Sequence, residues 1–214
     1  INLKTIIERC LEPSLYSAKV LNEFVAVAEE NAQTDYPVHI KFNTGLNRLG
    51  FWESDVDFIV SRLKETSAVK VKSIFSHLAA SEDLKEADFT NHQIQRFNSI
   101  IDNFKTQIGY KPWVHMCNTS GIINYKNAHF DMVRSGIGLY GFGNSVKEDQ
   151  NLKPIASLKS VISQIHNIEK GESVGYNRAY ISNGFEKTAT IPIGHADGIT
   201  RVYGKKKGFV YINN

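Results

Sequence analysis

The residues best suited to chemistry lie in Phe130-Asp-Met-Val-Arg134-Ser-Gly136-Ile137-Gly138-Leu-Tyr-Gly141, where an apolar run delivers an arginine into a glycine-rich turn. Backbone N–H groups in such a turn can point at a phosphate, glycines let a ligand approach closely, and the arginine donates to a ring nitrogen or a carboxylate. Gly136-x-Gly138-x-x-Gly141 has the form of a dinucleotide fingerprint, but its context is wrong. That fingerprint needs a helix directly after the glycines and an acidic residue about twenty positions on. Here the glycines run into Phe142-Gly143-Asn144-Ser145 and then Pro154, and residues 155–167 hold no carboxylate. A phosphate turn and a plain structural turn both fit the stretch by itself.

Composition narrows the classes. The chain has 214 residues, is 42% hydrophobic, and balances 25 basic against 22 acidic residues for a net charge of +3. This is enough apolar content for a sizeable core and too little basic excess to call for nucleic acid. The short run Lys205-Lys206-Lys207 reads as a solvated turn. Cys10 and Cys117 are far apart and read as free thiols of a reducing compartment. No apolar segment approaches the ~18 residues of a membrane span, and the expected setting is soluble and cytoplasmic. The histidines lack the spacing of a zinc site, so no metal is expected. An initial Ile1 and a final alternating run, Gly208 to Asn214, read as the ends of an excised piece.

From residue 17 to about 150, helical and strand patterns alternate, the signature of β/α units around a parallel sheet. An apolar helical stripe (Leu21, Phe24, Val25, Val27, Ala28) precedes a strand at Val38–Phe42, and a helix near Glu53 to Lys64 precedes one at Val69–Phe75. A third helix, Phe89 to Phe104, precedes Trp113–Met116, and Phe130–Val133 is the last expected strand. Each ends in polar residues, the pattern of an active face at the C-terminal strand ends of a (β/α)8 barrel. After Pro154 the texture turns to strands at Leu158–Ile168, Thr188–Ile193 and Phe209–Ile212. The fold class expected is therefore α/β, with part of a (β/α)8 TIM barrel over residues 1–153 and the start of a C-terminal β domain over 154–214.

The strand-end motifs, in order, resemble the alanine racemase family, fold-type III enzymes that use pyridoxal 5'-phosphate (PLP). The residues that carry this are Val38-His-Ile-Lys41-Phe-Asn-Thr-Gly-Leu-Asn-Arg48-Leu-Gly-Phe51, Phe75-Ser76-His77, His115-Met-Cys-Asn118-Thr119-Ser120, the Phe130–Gly141 stretch, Gly171-Glu-Ser-Val-Gly-Tyr176 and Ile191-Pro-Ile-Gly-His195-Ala-Asp-Gly198. The resemblance implies that Arg134 bonds the PLP pyridine nitrogen, and that Thr119, Gly136 and Ile137 hold the phosphate. It implies that Tyr176 abstracts or returns the Cα proton on one face, with His77 linking that tyrosine to Arg134. Arg48 would hold the tyrosine or the substrate carboxylate, with Lys41 beside it in the substrate pocket, carbamylated in some members, and His195 would line the entrance.

It further implies a homodimer in which Tyr176 serves the partner's site, and interconversion of L- and D-alanine through a PLP external aldimine, supplying cell-wall precursors. No lysine of the chain sits in the family's Schiff-base motif, so the isolated segment is expected to be inactive. Asn43 stands where many members have aspartate, Thr119 where serine is usual, and His195 where a tyrosine is usual. The rival readings are a broad-specificity racemase or a decarboxylase of the same fold, or a PLP-binding protein without catalysis.

Overall fold

The computed structural model describes residues 2–204 and 207–212. The chain divides into two compact units, Ile1–Ile155 and Ala156–Asn214.

The first unit runs α1 (Leu3–Glu8), β1 (Ser14–Leu15), α2 (Ala18–Glu30), β2 (Tyr36–Lys41), α3 (Val56–Lys64), β3 (Val69–Phe75), α4 (Ala87–Ile108), β4 (Trp113–His115), α5 (Thr119–Asn124) and α6 (Val146–Asp149). Sequence chemistry sets the boundaries. The Ser17 hydroxyl caps α2 by accepting from Val20 N at 3.4 Å. The α2 stripe Leu21, Phe24, Val25 and Ala28 is fully buried. Helix α4 ends at Gly109, whose φ of +81° suits a residue without a Cβ.

The strands form one parallel sheet in the order β1-β2-β3-β4, so each helix between them is a crossover. The β2–β3 register slips between Val38, opposite Val71, and His39, opposite Ser73. This brings His39 and Ser73 side by side on the two strands. The helices bury Phe24, Phe97, Phe104 and Ile100 in a single core with Ile40, Ile74 and Phe42.

In the second unit, β5 (Gln164–Ile168) pairs antiparallel with β8 (Glu186–Thr190), and β6 (Ser173–Val174) with β7 (Tyr180–Ile181).

Several expectations need correction. Phe130–Val133 is not a strand. Phe130 turns the chain at φ +49°, and the Asp131 carboxylate, not a strand carbonyl, accepts the β4 donor Val114 N at 2.9 Å. Only Asp131 N to Val114 O and Arg134 N to Cys117 O bridge backbone to backbone there, each at 3.1 Å. The fourth strand of the sheet is instead β1, two residues long, which no alternation announces. The expected strand over Leu158–Ile168 is confined to its last five residues, and that over Thr188–Ile193 lies earlier, at Glu186–Thr190. Phe209–Ile212 has no regular structure. Lys205 and Lys206 of the expected solvated turn, and Asn213 and Asn214 of the final alternating run, lie outside the described residues. Among the described residues no helix is long and apolar enough to cross a membrane, and no cluster of three or more His, Cys, Asp or Glu side chains could hold a metal.

Candidate active site

The strand ends of the first unit gather the sequence-predicted residues from different elements. Beyond β2, the loop closes on itself through Phe51 N to Lys41 O at 2.8 Å and Asn43 N to Phe51 O at 2.7 Å. The Asn43 side chain pins the turn, accepting from Gly45 N and Asn47 N at 3.1 and 3.0 Å. Gly50 permits the closure, because a Cβ there would lie 2.6 Å from Asn43 N at a φ of +132°. The loop carries Arg48, exposed, and the half-buried Lys41, whose ammonium lies 5.9 Å from the Phe75 ring centroid. Burial, then Arg48 and Arg134, lower the Lys41 pKa.

Arg134 is the most heavily bonded of the set. It donates to His115 Nδ1, from Nη2 to Ser76 O at 2.9 Å and His77 Nδ1 at 3.1 Å, and more weakly to Met116 O at 3.4 Å. Its guanidinium also sits 5.4 Å from the Phe75 ring centroid, and Phe75 stacks on His115. These contacts engage both terminal nitrogens, while the Nε–H has no acceptor among the described residues.

An arginine has only donors, so His77 Nδ1 must accept, which leaves its Nε2–H free to donate. Burial, then Arg134, Arg48 and Lys41, push the His77 pKa down to about 4, so the ring is neutral at pH 7.

A cleft of about 340 Å³ opens here, lined by His77, Asn118, Thr119, Arg134, Ser135, Gly136, Ile137 and Asn144. None of these is a carboxylate. The Thr119 hydroxyl accepts from Gly136 N at 3.0 Å and Gly138 N at 3.1 Å, and the Ile137 N–H between them has no acceptor among the described residues. Gly138 allows this close approach, since a Cβ there would meet Thr119 Cγ2 at 2.8 Å.

The donor set fits an aromatic phosphate: an unused guanidinium N–H at one end, a hydroxyl and an open amide at the other, and no lining group that repels an anion. PLP has this shape and charge, so the residues present fit the cofactor that the sequence motifs imply.

Two supports escaped the sequence reading. His115 is the ring against which Arg134 rests. Glu148, 2% exposed, accepts from Ser120 Oγ at 3.0 Å, Asn124 Nδ2 at 2.8 Å and Asn144 N at 2.8 Å, tying α5 and the cleft residue Asn144 to α6. No motif spacing reveals either, since Arg134 lies 19 residues from His115, and Ser120 and Asn124 lie 28 and 24 residues from Glu148.

The structure thus gathers Lys41, Arg48, His77, Thr119, Arg134, Gly136 and Ile137 in the first unit. Tyr176 and His195 belong to the second, where Tyr176 opens a turn after Gly175 and is 98% exposed, and His195 is exposed in a turn after Gly194.

Comparison with known proteins places the chain in a family. Residues 2–143 match the family model of the alanine racemase N-terminal domain, and 155–214 that of the alanine racemase C-terminal domain. Alanine racemase 2 of Oceanobacillus iheyensis is 32% identical over 206 residues, covering 95% of this chain and 52% of the relative. The structure of alanine racemase from Streptomyces coelicolor A3(2) superposes with a TM-score of 0.85 at 26% identity, covering 94% of this chain and 54% of that one. The alanine racemase of Bartonella henselae, solved with covalently bound pyridoxal phosphate, shares the fold at a TM-score of 0.77 and 24% identity, over 93% of this chain and 54% of its own. The chain spans about half the length of the curated relatives it matches. Its parallel β/α unit is part of a (β/α)8 barrel, followed by β structure of the C-terminal domain type, and the chain belongs to the alanine racemase family.

Proposed function

We propose that this chain is a segment of a PLP-dependent alanine racemase, with residues 1–153 the later part of the barrel and 154–214 the start of the β domain. The whole protein would interconvert L- and D-alanine, in the cytoplasm, as a supply of peptidoglycan precursor. The observation that carries the reading is Arg134, seated by the ends of β3 and β4 with its Nε–H unspent beside a cleft that holds no carboxylate.

When bound, PLP supplies the electron sink that acidifies the Cα proton of an amino acid. Arg134 would hold the pyridine nitrogen with a donor that does not give up its proton, which would favour simple reprotonation at Cα over transamination. Thr119, Gly136 and Ile137 would hold the phosphate.

Neutral His77, with Nε2–H available, would donate to the phenol oxygen of Tyr176 of the partner subunit, which would exchange the Cα proton on one face. The near-complete exposure of Tyr176 suits a residue offered to a partner subunit, and we assign it to the partner's site in a homodimer. Arg48 and Lys41 are cations at the mouth of the barrel that suit the substrate carboxylate, and His195 belongs to the entrance.

The lysine that binds the cofactor covalently is not among the residues of this chain, so the isolated segment does not racemise. A chiral assay of the full-length protein with PLP tests the reading, with L-alanine, L-serine and L-lysine in parallel. D-alanine forming fastest, and lost in Tyr176→Phe, is the expected result. Fastest turnover of lysine, CO2 release, or PLP binding with no turnover would overturn it.

A further inference from the structure

Behind Arg134 runs a chain of polar side chains that the proposed reaction does not use. His115 Nε2 lies 3.1 Å from Ser73 Oγ, Ser73 Oγ lies 2.6 Å from His39 Nδ1, and His39 Nε2 lies 2.9 Å from Glu12 Oε2. Lys72 closes the far end, 2.7 and 2.9 Å from the two Glu12 oxygens. The links come from the segment before β1 and from β2, β3 and β4 in turn. Ser73 is 1% exposed and His115 4%, whereas the Glu12 and Lys72 side chains are 34% and 45% exposed.

The two ends fix every hydrogen between them. Arg134 only donates, so His115 Nδ1 accepts. His115 is held neutral by burial, then by Arg134 and His39, which push its pKa down to about 3. Its single proton therefore sits on Nε2 and goes to Ser73 Oγ. At the other end, the Glu12 carboxylate only accepts, so His39 donates from Nε2, and a His39 ring carrying one proton takes the Ser73 hydrogen at Nδ1. The direction runs Arg134 to His115 to Ser73 to His39 to Glu12, with one assignment per link.

Resting on the reading that Arg134 holds the cofactor, we propose that Glu12, His39 and Ser73 are positioning residues that lock His115 as the acceptor for Arg134 and carry the protonation state of His39 to that arginine. A second proton on His39 turns Nδ1 into a donor. Ser73 Oγ then faces two N–H groups. Either its own hydrogen loses its acceptor, or His115 moves its proton to Nδ1, where it meets an Arg134 N–H. The first leaves the buried Ser73 donor unpaired, and the second takes the His115 acceptor from Arg134 and loosens the seat of the guanidinium. The charged and titratable groups facing His39 are Glu12 and Lys72 at its Nε2 end and His115 beyond Ser73.

The test is a pH titration by 15N NMR of the full-length protein, labelled at the histidine ring nitrogens, first without PLP and then loaded. In the unaltered protein the His115 nitrogens shift with the midpoint at which His39 titrates. In Ser73→Ala, His39 still titrates and His115 no longer follows, whereas Ser73→Thr, which keeps the hydroxyl, restores the coupling. In the loaded enzyme the kcat profile carries the same midpoint while KM for alanine stays within about twofold. His115 signals that stay flat through the His39 transition, or that still follow it in Ser73→Ala, overturn the proposal. Coupling observed without any racemisation would instead sink the functional reading and leave the positioning role standing.

Discussion

Arg134 is held by acceptors that do not move with the ligand, Ser76 O and Met116 O from the backbone and Nδ1 of two neutral histidines. That preorganises its remaining N–H for a ring nitrogen at little cost in side-chain entropy. Arg134→Ala removes a charge-assisted hydrogen bond of about 1.5–3 kcal/mol, so PLP binding by fluorescence titration weakens about 10- to 100-fold. Lysine at this position recovers little, since a point charge cannot serve the same fork of acceptors.

The two histidines also set a pH response. Their folded pKa values, about 4 for His77 and about 3 for His115, lie below the ordinary value of 6.5. The unfolded chain thus binds more protons between those limits, and stability is full above about pH 6.5 and falls as pH drops toward 3–4. Urea denaturation at pH 7 and pH 4.5 checks this: the midpoint is lower at pH 4.5, and His77→Asn reduces the difference. Cys117, buried and with its thiol pushed up to about 11, stays inert to alkylation at pH 7 in the folded protein, whereas the exposed Cys10 reacts.

Elements decide how these residues meet. The α4 stripe that seats the sheet includes Phe97, fully buried and edge-on to Phe130 at 5.7 Å. Phe97→Ala should cost about 3–5 kcal/mol, read as a shift in the urea midpoint. Glu148→Ala leaves the donors of Ser120, Asn124 and Asn144 without their buried acceptor and should cost about 2–4 kcal/mol, with weaker PLP binding as α5 and Asn144 lose their tie.

The helices α2, α3 and α4 and strands β2 and β3 were legible because apolar periodicity marks each of them. Strand β1 was not, since two residues carry no period. Phe130–Val133 looked like a strand because its residues are apolar, but its neighbour's hydrogen bond is taken by the Asp131 side chain, which no pattern encodes. The site was legible where it lies in one stretch, as at Arg134 to Gly138. The relay was not, because Ser73 meets His39 and His115 from 34 and 42 residues away.

Across the whole molecule, Tyr176 and Arg134 belong to different compact units. If the tyrosine serves the partner's site, full-length Tyr176→Phe and Arg134→Ala subunits, each inactive, complement when mixed and reassociated. Random pairing puts half the dimers in the mixed form, each with one complete site, so about a quarter of the unaltered activity returns. The most direct test of the central claim is exchange of the alanine Cα hydrogen for deuterium, followed by proton NMR in D2O with PLP-loaded full-length protein. The account predicts exchange from both enantiomers in the unaltered protein. In Tyr176→Phe it predicts exchange from one enantiomer only, with interconversion lost and PLP binding retained. Undiminished exchange from both enantiomers in Tyr176→Phe, or no exchange in the unaltered protein, would contradict it.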